Sequence, residues 1–450
     1  MRPTSSSSFS RGGSSTNASI SRCGVTRKVN ERETPLHAGE EQTWRILYER
    51  ARARLPEYVF VGFNANIDRI IRVDDLPPGA FSFQGGNLLR RKLETSMERR
   101  AAQEWFVDDP AFYRRAVAAF DAHGQTEIGG QAGIASVHLA GMGVPHVRCF
   151  VPGICRECAT MLQKRGVVPL DGTAPPPCDE RHTHLVFEYG GDEKRIDAAR
   201  RANRFIASPK THPGKPLFDA HALARLPSLV IPCTRGFFSG YQYLTTEEEF
   251  LEARNQLRAM HRAFSSFRSH IECVTIDHEE VLAMLTRRVL PEAHSVGCNE
   301  QELGLILTSL GREPAPPPGG GHFDPPGLVE GALTAHRSLG VQRLHLHTYG
   351  LSVLVHSLPI SHPAGARDAL MAAARAACAR AGGDRRILLP RIGDILRNAA
   401  ESLPPPVLPG IYDDGERMVL IVPALLSVPV RKTAGLGDTI SSTAFVCDPF

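Results

Sequence analysis

Long apolar runs are missing from this 450-residue chain: no stretch approaches the roughly 18 residues of a membrane-spanning helix, and no apolar signal-peptide core follows Met1. A one-sided charge is missing too. The 52 Lys and Arg against 48 Asp and Glu leave a net +4, too little at this length to argue for nucleic acid or an anionic membrane surface. Cysteine is sparse, 10 residues at irregular spacing, which sets aside a disulfide-built scaffold. Cys155-x-x-Cys158, with Cys178, His182 and His184 downstream, lacks the second half of a standard zinc-finger or ribbon spacing, so reduced, ordinary thiols are expected. No internal repeat is visible. What is present is 42% hydrophobic and 22% charged residues, enough for a sizeable core in two or three domains or in one large α/β domain with insertions. The expectation is a soluble cytoplasmic protein with no nucleic-acid or membrane partner, as a monomer or small homo-oligomer.

Residues 1–40 are rich in Ser, Gly, Thr and Arg, with no acid before Glu31 and almost no apolar pattern. Such a segment cannot bury enough surface to offset its ordering entropy, so a disordered tail is expected. Arg and Ser without early acids is also the composition of an organellar transit peptide. From about Glu41 a helical pattern (Trp44, Leu47, Tyr48, Ala51) leads to Pro56, and the apolar stretch Tyr58-Val-Phe-Val-Gly-Phe63 reads as a strand. It ends in Asn64-Ala-Asn66-Ile-Asp68-Arg69, which puts polar groups at the edge where open α/β sheets bind ligands. Asn66 and Asp68, two apart, can point the same way and offer an amide and a carboxylate to a polyol.

Residues 89–123 read as helical, with Glu104 beside Trp105; Gly129-Gly130-Gln131 then precede a helix running to Leu139. Further strands are expected at Val147–Val151, Thr183–Glu188, Leu229–Ile231, Ile271–Ile276 (with His270-Ile-Glu272 at its start) and Arg343–His347. Thr246 with Glu249 is a capping box opening a helix to about Phe264, and Arg367–Ala381 is an Ala-rich helix. Residues 311–327 form a Pro/Gly loop. Lys194, Arg195, Arg200, Arg201 and Arg204 cluster around Asn203, an arrangement that usually makes a solvated face and otherwise faces phosphate. The alternation of strands and helices over residues 130–450 argues for βαβ units and a largely parallel sheet.

The stretch that organises the rest lies near the C-terminus. Met418–Val422 reads as a buried strand, followed by a short Pro-containing connection, then Gly435-Leu-Gly437-Asp438 and a small-residue helix. Glycines ahead of a helix let backbone N–H groups approach an anion, and the helix dipole adds partial positive charge there. A carboxylate in that turn can take the proton of a hydroxyl that attacks a phosphate. Phosphoryl transfer also needs donors for the moving phosphoryl and carboxylates for Mg²⁺. Glu272 and Glu302 are hard oxygen donors, with Asn299 available to position phosphate or metal-bound water.

These residues resemble a family. Asn299-Glu-Gln-Glu302 is similar to the Asn-x-x-Glu motif of the ribokinase-like sugar kinases, and Gly435-Leu-Gly437-Asp438 to their Gly-x-Gly-Asp motif. His270-Ile-Glu272 resembles the His-x-Glu motif of the ADP-dependent branch, the ADP-dependent glucokinases and phosphofructokinases. Asn64–Asp68, Gly129–Gly133, His184–Glu188, Asn203–Ile206, His345–Gly350 and Thr439–Phe445 match in family order, from about residue 42 onward. The resemblance implies a ribokinase-like doubly wound α/β sheet over residues 41–450, with a smaller lid from roughly 66–125 and 180–206. It implies transfer of the β-phosphoryl of MgADP to a sugar hydroxyl, giving AMP. Asp438 would be the base and Gly435 and Gly437 the anion hole; Glu272 and Glu302 would organise Mg²⁺. Asn66, Asp68, Gly129, Gly130, Gln131 and His184 would hold the sugar, and His347, Thr348, Tyr349, Asn299 and Gly437 the nucleotide. A Glu ahead of the Gly-Gly-Gln stretch is associated in the family with free glucose, and Glu104 matches it, so glucose is the expected acceptor. Arg100 and Ala101 depart from the Gly-Lys expected before Glu104, and Ala434 from the usual Val. The alternatives are a 6-phosphofructokinase or bifunctional enzyme acting on fructose 6-phosphate, its cations supplied by Lys194, Arg195 and Arg200. From a different class, a non-catalytic sugar or nucleotide sensor would have no need of Asp438, Glu272 and Glu302.

Overall fold

The computed structural model describes residues 34–450 except 36–37, 100–101, 171–174, 191–201, 277, 315–323, 383–386 and 390–391. Arg100 and Ala101, Lys194 to Arg201, and much of the 311–327 loop lie outside the described residues. Order begins earlier than the composition of residues 1–40 suggests. Thr34–Pro35 pairs with Ile387–Leu389, and the helix Ala38–Arg52 buries Trp44, Leu47 and Ala51.

A ten-stranded sheet runs through the described residues in the order Ile411–Asp413, Arg417–Pro423, Leu351–Ser357, Arg343–His347, Ser295–Cys298, Arg268–Glu272, Arg235–Phe238, Tyr58–Gly62, His146–Phe150, Val167–Leu170. From Arg343–His347 to Val167–Leu170 all neighbours are parallel; the remaining three strands are antiparallel. Strands covered on both faces must be apolar on both. Val59 and Val61 pack with Ala132, Leu139 and Phe445 on one side, and Phe60 packs with Phe238, Phe250 and Leu257 on the other. The chain leaves Tyr58–Gly62 toward Val167–Leu170, then returns to its other side at Arg235–Phe238. The carboxyl ends of those two strands therefore flank the switch in strand order, where an open α/β sheet leaves a crevice. There Phe63 N–H donates to Ser239 O (3.1 Å) and Ser239 Oγ donates to Asn64 Oδ1 (2.6 Å).

A second sheet of five strands has the order Gln103–Val107, Asn203–Pro209, Thr183–Tyr189, Asn66–Arg72, Gln125–Gly129. Its period of two divides it cleanly. Ile71, Leu185, Phe187, Phe205 and Ala207 face the helices Gly86–Arg99 and Pro110–Phe120 and pack on Leu89, Leu93, Phe112, Tyr113 and Phe120. By alternation, Asn66, Asp68, Glu104, His184, Glu188, Arg204 and Ser208 fall on the opposite face.

Three sequence expectations are corrected. Leu229–Ile231 is not a strand: residues Leu226–Val230 are helical, with Pro227 in the first turn where its missing N–H costs nothing, and the strand is Arg235–Phe238. Residues 89–123 are interrupted by the strand Gln103–Val107, whose partner Asn203–Pro209 is about a hundred positions away, so Glu104 is a strand residue. The strand expected at Ile271–Ile276 is Arg268–Glu272, which moves Glu272 from its start to its carboxyl end. The thiols differ as well. Cys155 is bonded to Cys178 (Cα–Cα 5.0 Å), because the start of the helix Arg156–Lys164 docks on that loop, Arg156 N–H donating to Pro176 O at 2.8 Å. Cys158 is free and buried, so Cys155 and Cys158 do not act as a metal pair.

Tyr113 Oη lies 2.6 Å from Thr183 O and 2.8 Å from Ala207 O, and it is 1% exposed. Tyr113→Phe leaves two buried carbonyls without that donor. The expected loss is about 1–3 kcal/mol of unfolding free energy in denaturant titrations; a loss near zero would mean that the helices do not depend on this anchor.

Candidate active site

The helix Leu436–Val446 opens at Gly435, whose φ of +74° suits glycine, and whose added Cβ would lie 2.7 Å from Arg380 and 2.9 Å from Ile134. Three of its hydroxyls bond its own backbone: Thr439 Oγ1 donates to Gly435 O (2.8 Å), Ser442 Oγ to Asp438 O (2.6 Å) and Thr443 Oγ1 to Thr439 O (2.7 Å). The helix Gln131–Met142 lies alongside, with Ile134 against Gly435 and His138 Nε2 2.7 Å from Thr443 Oγ1. The two run in the same direction, so their N-termini, at Gly130-Gln131 and at Gly435-Leu436, adjoin. The first N–H groups of Leu436–Val446 open on the crevice, whereas on the neighbouring helix Ala132 N–H donates to Asn64 Oδ1 (3.2 Å) and Gly133 N–H to Asn64 O (3.1 Å).

Asp438 stands in the first turn and is 9% exposed. Burial raises its carboxyl from 3.8 to about 6; the Glu272 charge adds to this, and Arg380, Arg204 and His347 oppose it. Glu272, at the carboxyl end of its strand, is 4% exposed and hydrogen-bonded through both oxygens. Its Oε1 is 2.8 Å from His347 Nε2; its Oε2 is 3.2 Å from His270 Nε2 and accepts from Ser441 Oγ. Burial pushes this carboxyl up, but the His347 charge and the His270 and His347 contacts outweigh it and hold it near 2. Burial likewise pulls His347 down, and Glu272 reverses this to about 9, so the pair is charged on both sides. Support continues inward, with His270 Nδ1 2.8 Å from Ser295 Oγ, Arg343 donating to Ser295 Oγ (2.9 Å) and to Asp448 Oδ2 (3.0 Å). Gly297 leaves room for all this: a Cβ there would sit 2.1 Å from Glu272 Oε2.

Asn299 and Glu302 form a two-way capping box at the start of Glu300–Ser309, Glu302 N–H donating to Asn299 Oδ1 (2.9 Å) and Asn299 N–H to Glu302 Oε2 (2.8 Å). Burial, then Glu272, raises the Glu302 carboxyl to about 8. Two neighbouring carboxyl groups, one of them held neutral by burial and by the charge of the other, are a donor set that a hydrated divalent cation suits. Glu302 Oε2 accepts from Asn299 N–H and leaves Oε1 for a cation; Glu272 accepts one hydrogen bond on Oε1 and two on Oε2, so Oε1 keeps a lone pair. Among the described residues there is no group of three or more metal-ligating side chains.

Beside these groups lies a cavity of about 520 Å³, in the range of small-molecule sites. Its apolar wall is Ala374, Ala377 and Ala381 with Leu425 and Ile440; its polar wall brings together Asn299, His347, Thr348, Tyr349, Gly437 and Arg204. The residues expected for nucleotide thus share one cavity. Those expected for sugar gather separately, on the exposed-to-crevice face of the second sheet. Asn66 Nδ2 donates to Asp68 Oδ1 (2.6 Å), and a Cβ on Gly129 would lie 1.9 Å from that oxygen. Burial raises Asp68 to about 7, against its Asn66 hydrogen bond. Gly130 takes φ +70° over Asn66, and Gln131 Nε2 donates to Cys273 O (3.0 Å), which ties the sugar side to the strand end at Glu272. Burial depresses His184 to about 3, so it is neutral.

Several participants escaped sequence reasoning. Ser208 donates to Glu104 Oε1 (2.5 Å) and lies 3.3 Å from His184 Nδ1, joining two expected sugar residues; no motif marks it. Asn64 Oδ1 accepts from Ser239 Oγ and from Ala132 N–H (3.2 Å), fixing the crevice floor. Ser441 sits in a matched stretch, and its three-residue spacing from Asp438 was the available signal.

Fold and site together define an α/β phosphotransferase. The chain belongs to the ADP-specific phosphofructokinase/glucokinase family, whose conserved region matches residues 57–447, and it is an ADP-dependent sugar kinase. It is 28% identical over 458 residues to the ADP-dependent glucose/glucosamine kinase of Pyrococcus furiosus, covering 90% of this chain and 98% of the relative. To the ADP-specific phosphofructokinase of Methanosarcina acetivorans it is 24% identical over 490 residues, covering 90% and 96%. In fold it is similar to a solved ADP-dependent kinase in complex with fructose-6-phosphate and ADPβS, with TM-score 0.73 and 21% identity over 92% of this chain and 98% of that one.

The burial of Asp438 has a stability signature. Its folded pKa, about 6, lies above the ordinary 3.8, so its favourable contribution is complete below about pH 4 and is lost as pH rises through 6. Asp438→Asn removes the buried charge. In denaturant titrations it should be more stable than wild type at pH 8, on the order of 1–3 kcal/mol, with the gap closing toward pH 4. A gap independent of pH would contradict the burial argument.

Proposed function

We propose that this enzyme transfers the β-phosphoryl of MgADP to the 6-hydroxyl of glucose, giving glucose 6-phosphate and AMP. The observation that carries the choice of sugar is Glu104, held by Ser208 beside His184 and open to the crevice. A carboxylate there accepts a sugar hydroxyl and repels a sugar phosphate. Asn66, Asp68, Gly129, Gly130, Gln131 and His184 hold the remaining hydroxyls. The nucleotide lies in the cavity with its base on the Ala-rich wall and its diphosphate toward Gly435–Gly437, His347 and Arg204.

Asp438 then takes the proton of the attacking hydroxyl. With a pKa of about 6 it is ionised at neutral pH yet basic enough to help. As the new O–P bond forms and the bridging bond to AMP breaks, the N–H groups at the helix start and the Arg204 and Arg380 cations receive the charge on the moving phosphoryl. Glu302 and the diphosphate would hold Mg²⁺, with Asn299 aligned beside it and Glu272 behind, holding His347; when bound, the ion neutralises diphosphate charge.

The test is AMP release from MgADP with glucose and, separately, with fructose 6-phosphate, with MgATP as control. AMP with glucose is expected. AMP with fructose 6-phosphate alone would overturn the sugar assignment in favour of a phosphofructokinase, and ADP from ATP with no AMP from ADP would overturn the donor. Asp438→Asn should lower kcat about 10²–10⁴-fold. In the wild type, log kcat/KM should rise with unit slope up to about pH 6 and then level off. Glu104→Ala should raise the KM for glucose about tenfold or more, as expected for loss of a charged hydrogen-bond partner.

A further inference from the structure

Glu188 belongs to no step described so far, yet it is a carboxylate only 5% exposed, four positions along the same strand from His184 and on the same face. A carboxylate so buried is costly unless it is hydrogen-bonded. All its recorded hydrogen bonds converge on one oxygen: Oε1 accepts from Thr433 N–H (2.8 Å), Ala434 N–H (3.1 Å) and Thr433 Oγ1 (3.3 Å). Its cross-strand partner, Arg204, donates to Thr433 O at 3.0 Å. The peptide groups of Thr433 are therefore gripped on both sides by one facing pair of the second sheet. Arg380 Nε donates to Ala434 O (3.0 Å) from the opposite side. One residue later Gly435 turns the chain into the helix that carries Asp438.

We propose that Glu188 is a positioning residue. Through Oε1 it fixes the Thr433 and Ala434 peptides and so aims the Gly435–Gly437 N–H groups and Asp438 at the phosphoryl, while the same strand presents His184 to the sugar. This inference rests on the kinase reading above for its catalytic consequence, and on geometry alone for the hold on the loop. What matters is an acceptor at the Oε1 position, because every recorded bond goes to that atom. Gln keeps an acceptor oxygen there and loses the charge; Asp keeps the charge and withdraws the acceptor by one methylene; Ala removes both.

The experiment compares Glu188→Gln, Glu188→Asp and Glu188→Ala in the full chain by two readouts: amide hydrogen exchange over residues 431–437, and steady-state AMP release. Glu188→Gln should match wild type within about threefold in both. Glu188→Asp and Glu188→Ala should exchange faster over 431–437, with kcat down about 10- to 100-fold, the scale of a misplaced catalytic group, and sugar KM within about threefold. Unchanged exchange in Glu188→Ala and Glu188→Asp overturns the proposal. So does a Glu188→Gln variant as impaired as Glu188→Ala, which would make charge, not the acceptor, the operative property. Should Glu188→Ala fail to fold, the Gln and Asp pair still decides. Wild-type enzyme that releases no AMP with either sugar sinks the kinase reading instead, and the exchange readout then judges Glu188 by itself.

Discussion

A buried negative charge at Glu272 is the constraint around which the site is arranged. A carboxylate removed from water costs several kcal/mol unless it is paired and hydrogen-bonded. Here His347, His270 and Ser441 satisfy both oxygens, and Ser295, Arg343 and Asp448 support that shell from inside the sheet. The consequence reaches two neighbouring carboxyl groups. Burial raises both Glu302 and Asp438, and the Glu272 charge adds to it at each, so one fixed anion bears on the protonation of two other carboxyls. Gly297 is part of the same constraint, since any Cβ would displace the carboxylate it faces.

The second constraint is the pleat of the smaller sheet. Because successive side chains alternate, a single strand can serve two masters: Leu185 and Phe187 bind the covering helices while His184 and Glu188 face the crevice. The groups on the crevice face stand on strands whose other face is packed in an aromatic core. The larger sheet supplies the complementary element. Its switch in strand order opens the crevice, and two parallel helices deliver their N-termini to it side by side.

Much of this was legible in the chain. The run Met418–Val422, the glycines at 435 and 437 and Asp438 carry strand, turn and helix start in adjacent residues, so local periodicity and glycine spacing sufficed. The capping box at Thr246 and Glu249 was legible for the same reason; both its bonds depend on neighbours three positions apart. The βαβ alternation gave the parallel sheet. Reading failed where a partner is distant. Gln103–Val107 is a strand only because Asn203–Pro209 lies beside it, and a three-residue apolar run at Leu229–Ile231 carries no period to separate strand from helix.

The sequence by itself determined which chemistry is on offer: a helix-start carboxylate, glycines able to approach an anion, and polar groups at the ends of apolar strands. Those features are properties of a few consecutive residues, and no distant partner alters them. Only the tertiary structure decided what each group does. It set Glu272 among His347, His270 and Ser441, joined Glu104 to His184 through Ser208, bonded Cys155 to Cys178, and set Glu188 against Thr433 across 245 positions. Hydrogen-bond geometry and desolvation depend on which groups meet, and that is fixed by the docking of the two sheets.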